Sequence, residues 1–280
     1  MRAVVLKAPG EAGIIKVQTT GGADMFKVDL NSDLGESFGA YRIGCDEDVL
    51  GEVTSANVAC GWHAGDPMVL DRTLALAKEK GVAVGAHPGY PDLMGFGRRD
   101  MKLSPDEEYA YTLYQLGAFA AFSKCHGLEV QHLKAHGAMY NAAGRDIVLA
   151  RAICRAVKDF DPQIILLGLS GSKLIEAAQE TGLRVACEVF ADRAYEEDGS
   201  LVSRKKPGAM IEDEEVAIAR VVRMVKEGKV TAVTGRDVPV KADSICVHGD
   251  GPKALAFTRR IRERLMQEGV ELAPLHAFVQ

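Results

Sequence analysis

The chain has 280 residues, of which 47% are apolar, 26% charged and 6% aromatic, and its net charge is −5. That is enough apolar material for a full core, and with no basic stripe, nucleic acid and anionic membrane are not expected as partners. No apolar run approaches the roughly 20 residues that cross a bilayer.

Residues 1–24 fit no regular rhythm and read as an N-terminal extension: a displaced start, a tag or a short lid. Met25 stands just before the first convincing strand, and 25–280 read as one domain. Short apolar runs follow at 27–31, 56–60, 82–86, 130–135, 164–169, 184–190 and 244–247, each too brief for a helix. Between them lie helix signals. Asp66-Pro67 is an N-cap with proline at N1, heading a helix that ends near Lys80-Gly81. Ser104-Pro105-Asp106-Glu107 is a capping box, and its helix runs to about Cys125 with Gly127 behind it. Further helical patterns cover about 146–158, 172–181, 213–227 and 252–268, with Gly182, Gly228 and Gly269 after three of them. Strand and helix in alternation predict an α/β fold with a parallel sheet, either closed as a barrel or open and doubly wound. No GxGxxG follows the first strand. The segment 168–173, GLSGSK, lacks a glycine before its lysine and reads as strand end, turn and helix start rather than a P-loop.

Six of the seven strands end in ionisable clusters. The first carries Asp29, Asn31, Asp33 and Glu36. The second, in ANVACGWHAGDP, carries His63 and Asp66; the third carries His87; the fourth, His132, Lys134 and His136. The sixth ends in Glu188, Asp192 and Arg193, the seventh in His248 and Asp250. Parallel α/β proteins place their active sites at these ends, where the βα loops converge. Residues two apart share a strand face, so His132, Lys134 and His136 are expected in a lumen while Leu133 and Ala135 meet helices; Asp29 with Asn31, and Cys246 with His248 and Asp250, repeat the pattern. Trp62 is expected to pack, His126 and His276 to be structural, and Glu107-Glu108, Arg259-Arg260 and Arg204-Lys205-Lys206 to be solvated surface. The six cysteines show no CxxC and no paired spacing, as for reduced, mostly buried thiols, and with no sustained apolar N-terminal region this predicts a cytoplasmic location.

Six stretches together resemble the LamB/YcsF family, described as the A subunit of an ATP-dependent 5-oxoprolinase: VDLNSDLGESFGAY, SANVACGWHAGDP, GAHPGYPDLMGFGRRDM, LKAHGAMYNAA, EVFADRAYEEDGSLVSRKKPGAMI and ICVHGDGP, in order from Val28 to Pro252. Ser32, Trp62, Ala135 and Gly251 stand where that family usually has Cys, Phe, Pro and Thr, and Ser32 argues against a thiol nucleophile at its position. The resemblance implies a seven-stranded parallel β/α barrel similar to the glycoside hydrolase/deacetylase superfamily. It also implies opening of 5-oxo-L-proline to L-glutamate with ATP as co-substrate, in a complex with subunits B and C, which the missing P-loop fits. Attack by water needs a base, for which His63, His87, His136 and His248, oriented by Asp66 or Asp250, are the candidates. Lys134, Arg193 and Arg204, with Asp192 alongside, would hold carboxylate or phosphate oxygens. Asp29, Asn31, Asp33 and Glu36 would position the ring nitrogen or the water. The alternative is a stand-alone metal-dependent amidohydrolase or deacetylase, with His63, His87 and Asp29 or Asp33 on a divalent ion, although no HxxxH or HExxH spacing supports it. A third class, a non-catalytic scaffold, needs no such convergence of ionisable groups.

Overall fold

The structure, a computed structural model, describes residues 26–247 and 252–280; the extension at 1–24 and the candidates His248 and Asp250 lie outside the described residues. In chain order the elements are β1 (Lys27–Leu34), α1 (Asp46–Val49), β2 (Ser55–Ala59), α2 (Pro67–Lys80), β3 (Ala83–His87), α3 (Pro105–Cys125), β4 (Val130–Leu133), α4 (Gly137–Arg145), α5 (Ile147–Phe160), β5 (Ile165–Leu169), α6 (Lys173–Thr181), β6 (Val185–Phe190), α7 (Glu214–Glu227), β7 (Lys229–Thr231), β8 (Asp237–Pro239), β9 (Ser244–Cys246), α8 (Pro252–Gln267) and β10 (Glu271–Leu272).

β1, β2, β3, β4, β5, β6 and β9 pair in parallel, in that order. β9 then pairs back with β1 through Asp29↔Ser244, Leu30↔Ile245 and Asn31↔Cys246, which closes the seven-stranded barrel and rules out the open sheet. Alternation along the strands sorts the side chains. Leu30, Val58, Val84, Leu133, Leu166, Val189 and Ile245 are fully buried in the apolar layer between barrel and helices. The opposite parity fills the lumen with polar groups. The far end of the barrel is floored by Ile165, Leu167 and Ala186 packed on Leu275 of the C-terminal segment. Gly85 is required by this filling, because a Cβ there would run into the His132 ring.

The helix signals match their caps. Asp66 accepts from the Met68 and Val69 amides, and Ser104 and Glu107 form the reciprocal capping box. Gly182 and Gly228 adopt left-handed C-caps. Trp62 packs edge-on against Tyr111 and beside Tyr114. His126 pairs with Asp71, and His276 with Gln131. Arg259 and Arg260 make surface ion pairs with Glu52, Glu214 and Glu215. Glu108 departs from the reading of a solvated face: it is fully buried under Tyr90, and burial pushes its carboxyl up to about 7. All six cysteines are free thiols, four of them buried. Among the described residues no helix is long and apolar enough to cross a membrane.

Five elements have no counterpart in the sequence reading: α1, α4, β7 and β8, which form an antiparallel hairpin, and β10, which extends the sheet beside the start of β1. All but α4 hold two to four residues per element, too few for any periodicity to show. α4 opens on Gly137 and begins directly after the fourth strand's polar cluster, so its pattern merges with that cluster.

Candidate active site

The lumen is built from the closed end upward. Asp29, fully buried, accepts from Thr54, Ser55 and Ser244 hydroxyls. Burial outweighs those hydrogen bonds and pushes its carboxyl up to about 6. Ser244 accepts from Asn31 Nδ2 at 2.7 Å, and Asn31 Oδ1 accepts from Asn57 Nδ2 at 2.6 Å. Asn57 Oδ1 accepts from His132 Nε2 at 2.6 Å, and Gln131 Nε2 donates both to His132 Nδ1 and to Ser55 Oγ. These bonds close a ring of side chains around the barrel's interior. His132 is held neutral within it, brought down to about 3 by burial and then by Lys134.

Above that ring sits Lys134, at most 3% exposed. Its ammonium lies 3.0 Å from Asp33 Oδ1, 2.8 Å from Glu188 Oε1, 3.2 Å from Asn31 Oδ1 and 3.2 Å from Cys246 Sγ. Burial works against the charge, but Asp33, Cys246 and Glu188 outweigh it and hold the group well above the ordinary lysine range. Glu188 Oε2 also accepts from Tyr140 Oη at 2.7 Å, and the Phe190 ring lies 5.5 Å from the ammonium.

Beside Lys134, three imidazoles and a carboxylate meet. His87 Nδ1 is 2.7 Å from the Lys134 carbonyl and His136 Nε2 is 2.9 Å from the Phe96 carbonyl, so each ring donates there. Their other nitrogens, His87 Nε2 and His136 Nδ1, are 3.0 Å apart. Asp33 Oδ2 lies 3.4 Å from His87 Nε2. The His63 and His136 rings stack in parallel with centroids 3.8 Å apart. Glu36 Oε1 is 3.6 Å from His63 Nε2 and 3.8 Å from His136 Nδ1. Burial, then the neighbouring imidazoles, keep His63 and His136 neutral, the former well below its ordinary value and the latter at about 3. Gly89 and Gly97 admit the His63 ring: a Cβ on Gly89 would come within 2.6 Å of Nδ1, and one on Gly97 within 2.6 Å of the His63 Cβ. One ligand atom from each of Glu36, His63, His87 and His136 fits within 4.8 Å, a donor set that suits a divalent cation.

A pocket of about 460 Å³, counted out to solvent, opens over this floor. Asp33, His87, Lys134 and His136 form its base, and Arg98, Arg193 and Arg204 are among its walls. Arg193 is buried and donates to the Val202 carbonyl at 2.6 Å; burial, then Arg204, bring its guanidinium down to about 10, so it stays charged at neutral pH. Arg204 is exposed on its loop, and Asp192 is half-buried beside Arg193.

Two expectations are corrected. Asp66 orients no imidazole: it accepts from the Gly39, Met68 and Val69 amides as the cap of α2. Asp29 does not face substrate or a metal either, because it belongs to the closed end of the lumen. The side chains that could hold a metal ion bring Glu36 and His136 to His63 and His87, with Asp33 Oδ2 3.4 Å from His87 Nε2. Glu188, Asn57, Tyr140 and Arg98 join the site without having been assigned a role from sequence. Strand parity with Phe190 places Glu188 in the lumen, and parity with Ser55 does the same for Asn57. Tyr140 and Arg98 lie on α4 and in an irregular loop, where no period assigns a side.

The LamB/YcsF family model matches residues 28–280. The A subunit of the 5-oxoprolinase of Clostridium beijerinckii is 60% identical over 252 residues, covering 90% of this chain and 99% of that protein. The A subunit of the Campylobacter jejuni 5-oxoprolinase is 60% identical over 255 residues, covering 91% of this chain and all of that one. The crystal structure of a lactam utilization protein from Thermus thermophilus superposes with a TM-score of 0.83 at 52% identity, covering 88% of this chain and 99% of the other.

Proposed function

The chain belongs to the LamB/YcsF family, and on that footing we propose that it is the lactam-opening subunit of an ATP-dependent 5-oxoprolinase, with 25–280 as one catalytic domain. The reaction converts 5-oxo-L-proline to L-glutamate as ATP goes to ADP and phosphate, in a cytoplasmic complex with subunits B and C. The observation that carries this reading is the convergence of Lys134, Asp33, His87 and His136 at the base of one pocket walled by Arg98, Arg193 and Arg204.

The chemistry asks for such a site. A five-membered lactam is a resonance-stabilised amide, slow to open near neutral pH. Phosphorylation of its oxygen makes the ring carbon electrophilic; water adds there, the ring C–N bond of the adduct breaks as the nitrogen takes a proton, and hydrolysis of the acyl phosphate so formed releases glutamate and phosphate. Substrate carboxylate and phosphate then need fixed cations, supplied by Lys134, Arg98, Arg193 and Arg204, the arginines in bidentate fashion. Asp33, His87 and His136 are the acceptors placed to take the proton of the attacking water. The absence of a P-loop in the sequence fits ATP handling by the partner subunits.

The test is glutamate and phosphate release measured with and without the two partner subunits. Stoichiometric release only in the mixture, and weak ATP binding by the isolated chain, are expected. A second reading, the stand-alone metal-dependent amidohydrolase or deacetylase, draws on the Glu36, His63, His87 and His136 donor set. Tight ATP binding by the isolated chain would break the proposed division of labour, and metal-dependent lactam opening by it alone would promote the second reading.

A further inference from the structure

Three of the four side chains beside Lys134 turn Lewis-basic atoms toward one another. His87 and His136 each give one N–H to a backbone carbonyl, so in the neutral rings the two nitrogens that face each other at 3.0 Å both carry lone pairs. Glu36 adds a carboxylate oxygen within 3.8 Å of His136 and 3.6 Å of His63. His63 is wholly buried, and neither of its ring nitrogens has a hydrogen-bond partner. Opposed lone pairs repel, and a buried imidazole nitrogen without a partner costs free energy. A bridging proton would reconcile the His87–His136 pair and leave His63 as it is. A metal ion reconciles all four.

We propose that Glu36, His63, His87 and His136 bind one divalent transition-metal ion of the zinc class, separate from any Mg²⁺ that accompanies ATP. Ligands at about 2.0–2.1 Å in a tetrahedral shell stand about 3.3 Å apart; three of the separations between these donor atoms are 3.0, 3.6 and 3.8 Å, and all four atoms lie within 4.8 Å of one another. Three imidazoles favour zinc, cobalt or nickel over magnesium, which prefers an oxygen shell and keeps its waters. The carbonyls of Lys134 and Phe96 accept from the far ring nitrogens and so fix the ligating tautomers of His87 and His136. This assignment goes beyond the lactam-opening reading: it occupies the free nitrogens of His87 and His136 and leaves Asp33 as that reading's proton acceptor, and its test reads binding rather than turnover, so either can fail without the other.

The full chain, stripped with a chelator, would be titrated separately with Zn²⁺, Co²⁺ and Mg²⁺ by calorimetry at pH 8, with Co²⁺ also followed by visible absorption. One equivalent of Zn²⁺ or Co²⁺ is expected, with d–d bands of a nitrogen-bound ion that a hundredfold excess of Mg²⁺ does not remove. Glu36→Gln and His136→Ala should each weaken Zn²⁺ binding at least a hundredfold, while His126→Ala, outside the cluster, should leave it unchanged. Circular dichroism checks that the variants fold, and if His136→Ala does not, Glu36→Gln carries the test. Absence of stoichiometric uptake overturns the proposal, as does uptake that survives both substitutions. So does a proton shared between His87 and His136, seen by ¹⁵N NMR in a protein that takes up no metal.

Discussion

Replacing Lys134 by Met removes the one ammonium between Asp33 and Glu188 while keeping most of the length of the side chain. At 2.8 and 3.0 Å, each ion contact is worth about 5–6 kcal/mol at an effective dielectric constant near 20. Relief of the ammonium's own desolvation offsets much of this, and removing one partner from a buried ion cluster nets a loss of about 3–5 kcal/mol. Most of that loss is the burial of carboxylates left without a counter-charge. Glu188→Gln in the Lys134→Met background should therefore restore a large part of the stability, although on its own it should destabilise. Guanidinium denaturation of the four proteins forms a double-mutant cycle, and a coupling energy of about 2 kcal/mol or more is expected. The reasoning fails if Lys134→Met unfolds within about 1 kcal/mol of the parent, or if the cycle shows no coupling.

Asp29→Asn tests the closed end of the lumen through its pH dependence. The raised pKa favours folding below about 3.8, and that contribution is lost as pH rises through about 6. Whatever the variant's offset, its stability relative to the parent should therefore improve by about 2.4 kcal/mol between pH 4 and 7; a pH-independent difference in denaturation midpoints contradicts the assignment. Asp66→Ala should cost about 1 kcal/mol through the lost cap of α2 and leave coupled glutamate formation within about twofold of the parent; a dead enzyme with normal stability would return Asp66 to the site. His136→Asn and His248→Asn should each abolish coupled glutamate formation with little change in thermal unfolding, and full turnover by either removes that residue from the chemistry.

The barrel is legible because both of its periodicities are local. Apolar runs of about five residues and helices marked by caps such as Asp66 and Ser104 state the βα alternation outright, and parity along 132, 134 and 136 states which side chains share a face. What sequence leaves open is which residues meet across the lumen. Glu36 reaches the histidines from a loop after β1, where no period applies, and joins His63 and His87 in the set for which the sequence offers Asp29 or Asp33. Asp66 misleads because an N-cap and an orienting carboxylate call for the same residue type next to a histidine. Glu108 misleads because its neighbour Glu107 is exposed, and only the packing of α3 onto Tyr90 shows that the next position points inward.

The ring of side chains around the lumen has a direction of travel. An ionised Asp29 can only accept, so the Ser55 and Ser244 hydroxyls must both turn toward it. Ser244 then offers its lone pair to the Asn31 amide, which turns that amide's oxygen away, toward Asn57 and Lys134. From Ser55 the same constraint runs the other way, through Gln131 and the tautomer of His132 to the oxygen of Asn57. Two chains of donors leave one carboxylate and meet at the bond between two asparagines, with no member free to flip alone. A residue that no ligand reaches thereby dictates which atom the lysine under the pocket finds beneath it.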